Sequence, residues 1–147
     1  MLRCCLAAAA ILAAAGSLAK AADPASPVGS WRTIDDETHE PRAVVRIFDR
    51  GGVLFGVVEK SLMAHPPREF CDQCTDDRKN KPILGMEFIR GLRKDGDRWD
   101  GGTILDPEHG KVYHCKMALQ PGGQKLEVRG YIGVSLFGRT QTWERVS

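Results

Sequence analysis

The sequence has 147 residues, of which 42% are hydrophobic, and it carries 21 Lys and Arg against 19 Asp and Glu. A chain of this length forms one domain, since a domain typically takes about 100–200 residues. The near balance of charges argues against nucleic acid or an acidic membrane surface as the main partner, because binding to phosphates requires a surplus of Lys and Arg.

The N-terminal segment 1–21 is predicted to be a cleaved secretory signal peptide. It begins with Arg3, continues through an apolar run from Leu6 to Ala15, and ends on Ala19-Lys20-Ala21. A basic start, a short apolar segment and an A-x-A site are typical of such signals. The apolar run is shorter than the roughly 20 residues that a membrane-spanning helix requires. We therefore expect an exported protein without a membrane span.

Removal of 21 residues from 147 leaves 126, and the remaining chain carries 19 basic and 19 acidic residues because Arg3 and Lys20 leave with the signal. Residues 22–28 are rich in Pro, Ala and Ser and predict a flexible lead. Residues 29–147 are then long enough to bury one hydrophobic core. The predicted organisation is a signal peptide, a lead and a single domain.

Turn-forming sequences recur about every 10 residues after the lead, which is typical of an all-β domain. The one long interruption is residues 59–85, which show no sustained periodicity. Eight strands are predicted, at residues 29–34, 43–48, 53–58, 86–92, 98–105, 111–119, 125–131 and 139–146.

Alternation of apolar and polar residues along these strands predicts that each strand has one buried, apolar face and one solvent-exposed face. In the sixth strand Tyr113, Cys115, Met117 and Leu119 share the apolar face, and in the third strand Val53, Phe55 and Val57 form such a set. Hairpins with this pattern predict an antiparallel eight-stranded barrel around its own core, with a two-sheet sandwich as the alternative. Eight strands enclose an interior that side chains just fill or that holds one small ligand.

Two terminal motifs resemble the lipocalin (calycin) arrangement. Gly29-Ser30-Trp31 begins the first strand, and Arg139 and Arg145 bracket Thr140-Gln141-Thr142-Trp143 in the last. In lipocalins and fatty-acid-binding proteins, a Trp of a G-x-W motif closes one end of the barrel under a basic residue of the final strand. The resemblance implies that Trp31, Arg139 and Arg145 close the barrel, with a guanidinium stacked on an indole.

The whole mature chain also resembles a family of exported bacterial proteins known as domain of unknown function 2147. The matching stretches include Cys71-x-x-Cys74 continued by residues 75–86, Trp99-Asp100-Gly101-Gly102, and residues 136–143. They cover nearly all of residues 28–146 in order. The resemblance implies a compact lipocalin-like barrel outside the cytoplasm, favours the periplasm, and brings no established activity.

The three cysteines that remain after the signal are Cys71, Cys74 and Cys115. An oxidising compartment favours a structural disulfide between Cys71 and Cys74. The alternatives are a disulfide from one of them to Cys115, or a metal or redox centre at the C-x-x-C motif. A zinc site would need four ligands, and thiol exchange would be favoured by a helix N-terminus that this all-β pattern lacks. No bound metal or cofactor is predicted.

The segment 59–85 is too long for a simple connection, since most loops have about 4–6 residues. It contains a charged run whose members are Asp76, Asp77, Arg78, Lys79, Asn80 and Lys81. One interpretation is a lid or loop surface that offers polar groups to a ligand or an envelope protein partner. The other is a solvated run whose charges pair among themselves and which the disulfide braces.

No catalytic set is found, so the protein is predicted not to be an enzyme. The four His (His39, His65, His109 and His114) have no ligand spacing, and no Ser lies in a G-x-S-x-G context. The leading hypothesis is a barrel that binds a small apolar or amphipathic ligand; the alternatives are an envelope interaction module that uses residues 59–85 and, more remotely, a thiol or metal centre. The expected ligand-binding side chains are Phe55, Val57, Met86, Phe88, Tyr113 and Met117.

Overall fold

The structure is a computed structural model that describes residues 23–146. The predicted signal peptide, residues 1–21, lies outside the described residues. The eight predicted strands are all confirmed, with boundaries shifted by at most three residues. They are β1 (Gly29–Ile34), β2 (Pro41–Arg50), β3 (Val53–Ser61), β4 (Glu87–Asp95), β5 (Arg98–Asp106), β6 (Lys111–Leu119), β7 (Lys125–Tyr131) and β8 (Gly138–Arg145).

The eight strands form one closed antiparallel barrel. Each strand pairs with the next, and β1 pairs with β8 through Trp31 opposite Arg145 and Arg32 opposite Glu144. The predicted barrel is therefore confirmed, and the sandwich is excluded because the sheet has no open edge. Among residues 23–146, no helix is long and apolar enough to cross a membrane.

Closure requires one very close approach between β4 and β5. A Cβ atom at Gly102 would lie 2.6 Å from the carbonyl oxygen of Arg90 and 2.7 Å from the side chain of Leu92. The register of the β5–β6 pair also shifts between Trp99 and Gly102. A glycine at this bend lets neighbouring strands approach more closely than any side chain would allow.

The facing of β3 differs from the sequence prediction. Leu54 and Val58 are buried, whereas Phe55 and Val57 lie on the outer face. The run from Val53 to Val58 is apolar on both faces, so alternation does not say which face turns inward. On the outside the ring of Phe55 stacks on that of Phe48 at 6.0 Å between centroids. The predicted inner face of this strand is therefore wrong, because a shift of one residue along a strand exchanges its two faces.

Side chains fill the half of the barrel that lies toward the β2–β3, β4–β5 and β6–β7 turns, which we call the closed half. The buried side chains near these turns are Trp31, Ile47, Leu54, Leu92, Trp99, Met117 and Leu126. Their apolar surface supplies the main stabilisation of the fold, at about 25 cal/mol per Å² removed from water.

The N-terminal segment seals the end of this closed half. Pro27 is fully buried, and its carbonyl accepts a hydrogen bond of 2.8 Å from the indole of Trp31. A Cβ atom at Gly123 would lie 2.1 Å from the carbonyl oxygen of Pro24, so the segment also packs tightly on the β6–β7 turn. Within the lead predicted over residues 22–28, Ser26 to Val28 pack on the end of the barrel as a plug, whereas Asp23, Pro24 and Ala25 are exposed.

Candidate ligand-binding cavity

A cavity of about 850 Å³ occupies the other half of the barrel, which we call the open half. It opens between the β1–β2, β5–β6 and β7–β8 connections and is flanked by the long segment between β3 and β4. Its apolar lining includes Val45, Val58, Ile83, Phe88, Ile104, Leu105, Val128 and Trp143, with Ile132 and Phe137 at the mouth. The volume lies within the range of about 300–1,000 Å³ that is typical of small-molecule sites.

The floor of the cavity is aromatic. Phe88 and Trp143 are buried, and their ring centroids lie 6.3 Å apart in a tilted arrangement. Below them the closed half is packed, so that the interior is filled at one end and hollow at the other. The sequence left open a filled barrel or one with room for a small ligand; the closed half is filled, and the open half has a cavity large enough for a small molecule.

A line of polar groups runs up the β8 wall from this floor to the mouth. The indole nitrogen of Trp143 donates to Oε1 of Gln141 at 3.0 Å, and Nε2 of Gln141 donates to Oδ1 of Asp36 at 3.3 Å. Asp36 is in turn paired with Arg139 at 2.5 Å. The Arg139 guanidinium lowers the pKa of Asp36, and Asp36 raises the pKa of Arg139.

This placement corrects the expected role of Arg139. Residues 139 and 145 both face inward, but six residues of strand separate them by about 20 Å. Arg145 lies over Trp31 at the closed end, with its guanidinium carbon 4.3 Å from the ring centroid. Arg139 lies at the mouth of the cavity instead. One end of the barrel is therefore sealed by Trp31 and Arg145, without Arg139.

A second charged cluster lies at the mouth around Arg42. Its guanidinium is paired with Glu108 and lies 4.0 Å from Asp35. Hydrogen bonds from the turn backbone, led by that of Thr38, lower the pKa of Asp35. Beside this cluster, Nδ1 of His109 lies 2.7 Å from the carboxylate of Asp106. The mouth thus presents charged groups that already have partners.

The segment between β3 and β4 forms an ordered wall of the cavity. Cys71 and Cys74 form the predicted disulfide, and both are fully buried. The wall docks on the β5–β6 turn, where a Cβ atom at Gly110 would lie 2.0 Å from the carbonyl oxygen of Gln73. Sγ of Cys71 also lies 3.5 Å from the carbonyl oxygen of Pro107. The disulfide therefore braces the wall against the barrel.

Arg78 is not part of a loop surface. Only 3% of this residue is exposed, and its guanidinium is paired with Asp76 at 2.6 Å and donates to the carbonyl of Glu87 at 3.1 Å. Arg78 lowers the pKa of Asp76. A charge run read from sequence alone looks solvated, but here the guanidinium is a buried link between the wall and β4.

The remaining members of the predicted loop surface are also engaged within the chain. Asp77 pairs with Arg90 at 2.8 and 2.9 Å, and this pairing lowers the pKa of Asp77 to about 2. Lys79 donates to the carbonyl of Asp72 at 2.9 Å. Asn80 adopts a left-handed backbone conformation, and its amide donates to the carbonyl of Cys71 at 2.8 Å.

The six expected ligand-binding residues are divided among three places. Phe88 and Tyr113 line the cavity. Met86 and Met117 are buried in the core, and Phe55 and Val57 lie on the outer face, so none of these four lines the cavity. Sequence reasoning missed the inner residues of β8 and the wall residues on either side of the disulfide. The alternation of residues 139, 141, 143 and 145 was the signal available for β8.

The position of Cys115 decides which cysteines pair. Cys115 is buried inside the barrel, and burial raises the pKa of its thiol to about 12. It does not pair with Cys71 or Cys74, so the alternative disulfide is wrong.

Across residues 23–146, no group of three His, Cys, Asp or Glu side chains is placed to hold a metal ion.

Comparisons with known proteins agree with this architecture. A family model described as "Uncharacterized protein conserved in bacteria (DUF2147)" matches residues 29–145. The chain is similar in structure to HP1028 from the human pathogen Helicobacter pylori, a protein described as belonging to the lipocalin family. The TM-score is 0.71 at 20% sequence identity, and the alignment covers 83% of this chain and 84% of HP1028. No match is found among curated proteins.

Proposed function

The chain belongs to the DUF2147 family, and we propose that it is a non-catalytic protein that binds one small apolar or amphipathic molecule in its open half. The observation that carries this proposal is the cavity of about 850 Å³ with its largely apolar lining. Sites for small molecules are typically concave and apolar, with few polar groups that set the orientation of the ligand.

The distribution of polar groups supports one orientation of the ligand. Phe88 and Trp143 form an apolar floor, whereas Asp36, Arg42 and Arg139 lie at the mouth. An amphipathic molecule would place its apolar end on the aromatic floor and its polar end among the charged groups. The opposite orientation would bury a polar group against the aromatic rings, where the nearby indole nitrogen of Trp143 and amide of Gln141 are already hydrogen-bonded, and this costs free energy.

The ion pairs at the mouth favour a ligand whose polar end is uncharged. Arg42 is paired with Glu108, Arg68 with Asp72, and Arg139 with Asp36, so each arginine of the lining has a carboxylate partner. An anionic ligand would have to compete with a carboxylate for one of these guanidinium groups. A hydroxyl or amide would accept and donate hydrogen bonds without breaking a pair.

The alternative function, an envelope interaction module, depended on a charged run that was free to bind a partner. Asp76, Asp77, Arg78 and Lys79 are all engaged with other groups of this chain, so the charged run does not offer a free polar surface. The thiol-centre alternative is weakened as well, because both sulfur atoms of the disulfide are buried. We also propose a periplasmic location, which is supported by the predicted signal peptide without an anchor and by the resemblance to exported bacterial proteins.

A matched pair of fluorescent probes tests the proposal. N-phenyl-1-naphthylamine and 1-anilinonaphthalene-8-sulfonate share an aromatic skeleton, and only the second carries a negative charge. We expect the purified protein to bind the uncharged probe in a saturable manner, with one site per chain, and more tightly than the sulfonate. Fluorescence titration measures both affinities under the same conditions.

Two variants with the same substitution locate the probe. Val128→Phe places a ring in the cavity and is expected to weaken binding at least about tenfold, which corresponds to 1.4 kcal/mol. Val57→Phe makes the same change on the outer face and is expected to leave the affinity unchanged. Saturable binding that is equally strong in both variants would contradict a cavity site, and absence of saturable binding of either probe would contradict ligand binding.

A further inference from the structure

The connection between β7 and β8, residues 132–137, exposes four large apolar side chains beside the mouth of the cavity. The exposed fractions are 64% for Ile132, 57% for Val134, 85% for Leu136 and 73% for Phe137. Single exposed apolar residues are common, but a contiguous group marks an interaction site. We call this group the apolar loop.

Hydrogen bonds from the barrel hold the apolar loop in place. Arg129 donates to the carbonyl of Ser135 at 2.8 Å and to that of Leu136 at 3.3 Å, and Nζ of Lys116 donates to the hydroxyl of Ser135 at 2.6 Å. Within the loop, the amide of Ile132 donates to the carbonyl of Phe137 at 3.1 Å. The backbone is hydrogen-bonded while the apolar side chains stay exposed, and two of them, Ile132 and Phe137, also border the mouth of the cavity.

The two cations that hold the apolar loop have no acidic partner within 4.0 Å among residues 23–146, whereas most arginines of the barrel do. Lys116 and Arg129 stand opposite one another on the outer faces of β6 and β7. Nζ of Lys116 also lies 5.8 Å from the ring centroid of Tyr131. An aromatic residue, two cations without a carboxylate partner and the apolar loop therefore share one side of the mouth.

We propose that the apolar loop inserts into the surface of a bilayer that contains anionic phospholipid. Apolar side chains that enter the boundary between head groups and acyl chains, flanked by Lys or Arg, are the features that bind proteins to a membrane surface. Each cation near an anionic leaflet adds to the attraction between the protein and the bilayer. Tyr is favoured at this depth because its ring is apolar and its hydroxyl is polar.

The balanced charge of the whole chain does not oppose this proposal, because screening confines the attraction to charges near the bilayer. At physiological ionic strength the screening length is about 8 Å. Of the acidic groups on this side of the barrel, Asp36 and Glu37 are close to Arg139, and Asp100 lies beside Tyr131. The apolar loop itself contains no acidic residue, and the two cations that contact Ser135, Lys116 and Arg129, are the charged groups directly beneath it.

A second copy of this chain is a less suitable partner for the apolar loop. A two-fold dimer would bring the same patch of both copies together, so Lys116 and Arg129 would face their own counterparts. Juxtaposed like charges disfavour such a complex. A stable interface also buries about 1,200–2,000 Å² in total, more than one loop of six residues provides.

Vesicle binding tests the proposal with the full mature protein. The probes are vesicles of phosphatidylethanolamine with phosphatidylglycerol, and vesicles of phosphatidylcholine alone. We expect co-sedimentation with the anionic vesicles that weakens as salt is added. The double variant Leu136→Ser with Phe137→Ser should lose at least about tenfold in affinity. Val146→Ser changes an exposed apolar residue at the closed end and should bind as the wild type does.

A labelled variant shows which part of the protein enters the bilayer. Leu136→Cys can be labelled with a nitrobenzoxadiazole fluorophore, because the native free thiol of Cys115 is buried and unreactive. Its emission should shift to shorter wavelength on addition of the anionic vesicles. The same label on Val146→Cys should show no shift.

Three results would overturn the proposal. They are absence of binding to anionic vesicles, binding that the double serine variant retains in full, and a dimer in sedimentation velocity that this variant abolishes while vesicles bind nothing. None of these measurements depends on a ligand in the cavity. Failure of membrane binding and failure of probe binding are therefore separate outcomes.

Discussion

Arg145 lies over Trp31, with its guanidinium carbon 4.3 Å from the centroid of the indole ring. The same guanidinium donates to the carbonyl oxygens of Gly123 at 2.7 Å, Ser26 at 2.7 Å and Val28 at 3.2 Å. One side chain thus joins the last strand, the β6–β7 turn and the N-terminal plug over the buried tryptophan.

The first prediction concerns the stability that this contact provides. Arg145→Ala should lower the free energy of unfolding by about 2–4 kcal/mol, because it removes a cation–π contact and leaves buried carbonyls without donors. Arg32→Ala is the matched control, since its exposed pair with Glu144 should contribute no more than about 1 kcal/mol. Urea denaturation measures both. Equal losses would show that the seal adds nothing specific.

The second prediction separates two neighbours in the charged run. Arg78→Ala should cost about 1–3 kcal/mol because it leaves the carboxylate of Asp76 and the carbonyl of Glu87 without their donor. Lys79→Ala should change stability by less than about 0.5 kcal/mol, as is usual for exposed residues. Thermal denaturation of the two variants checks this difference. A loss of similar size in both would mean that Arg78 is no more structural than Lys79.

The third prediction concerns the disulfide. Replacing Cys71 and Cys74 together by Ser should lower the free energy of unfolding by about 2 kcal/mol, as expected for closure of a short loop. The cavity wall should then loosen at its contact with Gly110, so probe affinity should fall as well. Hydrogen exchange over residues 66–85 reports the loosening. Unchanged exchange there would contradict a bracing role.

The fourth prediction is a loss of stability in acid that involves Asp77. Its pKa lies at about 2 in the folded protein, below its ordinary value of 3.8, because Arg90 binds the ionised form. Stabilisation from a lowered pKa is present above the ordinary value and is lost as the pH falls toward the folded value. Asp77→Asn should therefore be less stable than the wild type at neutral pH, and the difference should shrink between pH 3.8 and about 2. Urea titrations across this window measure it, and a constant difference would exclude the linkage.

The fifth prediction concerns export. Protein recovered from the periplasmic fraction of its own cells should begin at Ala22, as expected for cleavage after an A-x-A site. Intact mass spectrometry without reductant should show a mass two hydrogens below that of the reduced chain, because one disulfide forms and Cys115 stays free. Full-length protein in the cytoplasmic fraction alone would contradict export.

Strand positions could be predicted well because the turns between strands have recognisable sequences that form hydrogen bonds within the turn. Asp49, for example, accepts a hydrogen bond from the amide of Gly52 across the β2–β3 turn. Such turns mark where strands end whatever the rest of the molecule does. The outward facing of Phe55 could not be read in this way, because residues 53–58 are apolar throughout and only closure of the barrel decides which face is inner.

The candidate site was less predictable because it depends on distances along and across the barrel. Arg139 and Arg145 look equivalent in sequence, yet strand length places them at opposite ends. Arg78 looks like part of a solvated run, and only the return of the chain to β4 buries it. The cavity depends on the combined volume of inward-facing side chains from eight strands, and no short stretch of sequence contains that information.

The division of the barrel into a packed closed half and a hollow open half has a consequence for how this family can change over evolution. Substitutions around Val128 or Ile104 alter the shape of the cavity without removing contacts near Trp31. Under the proposed ligand-binding function, the preference for a ligand can then change while the packed closed half keeps its contribution to stability. Members of the family are then expected to share the packed closed half and to differ in the residues that line the open half.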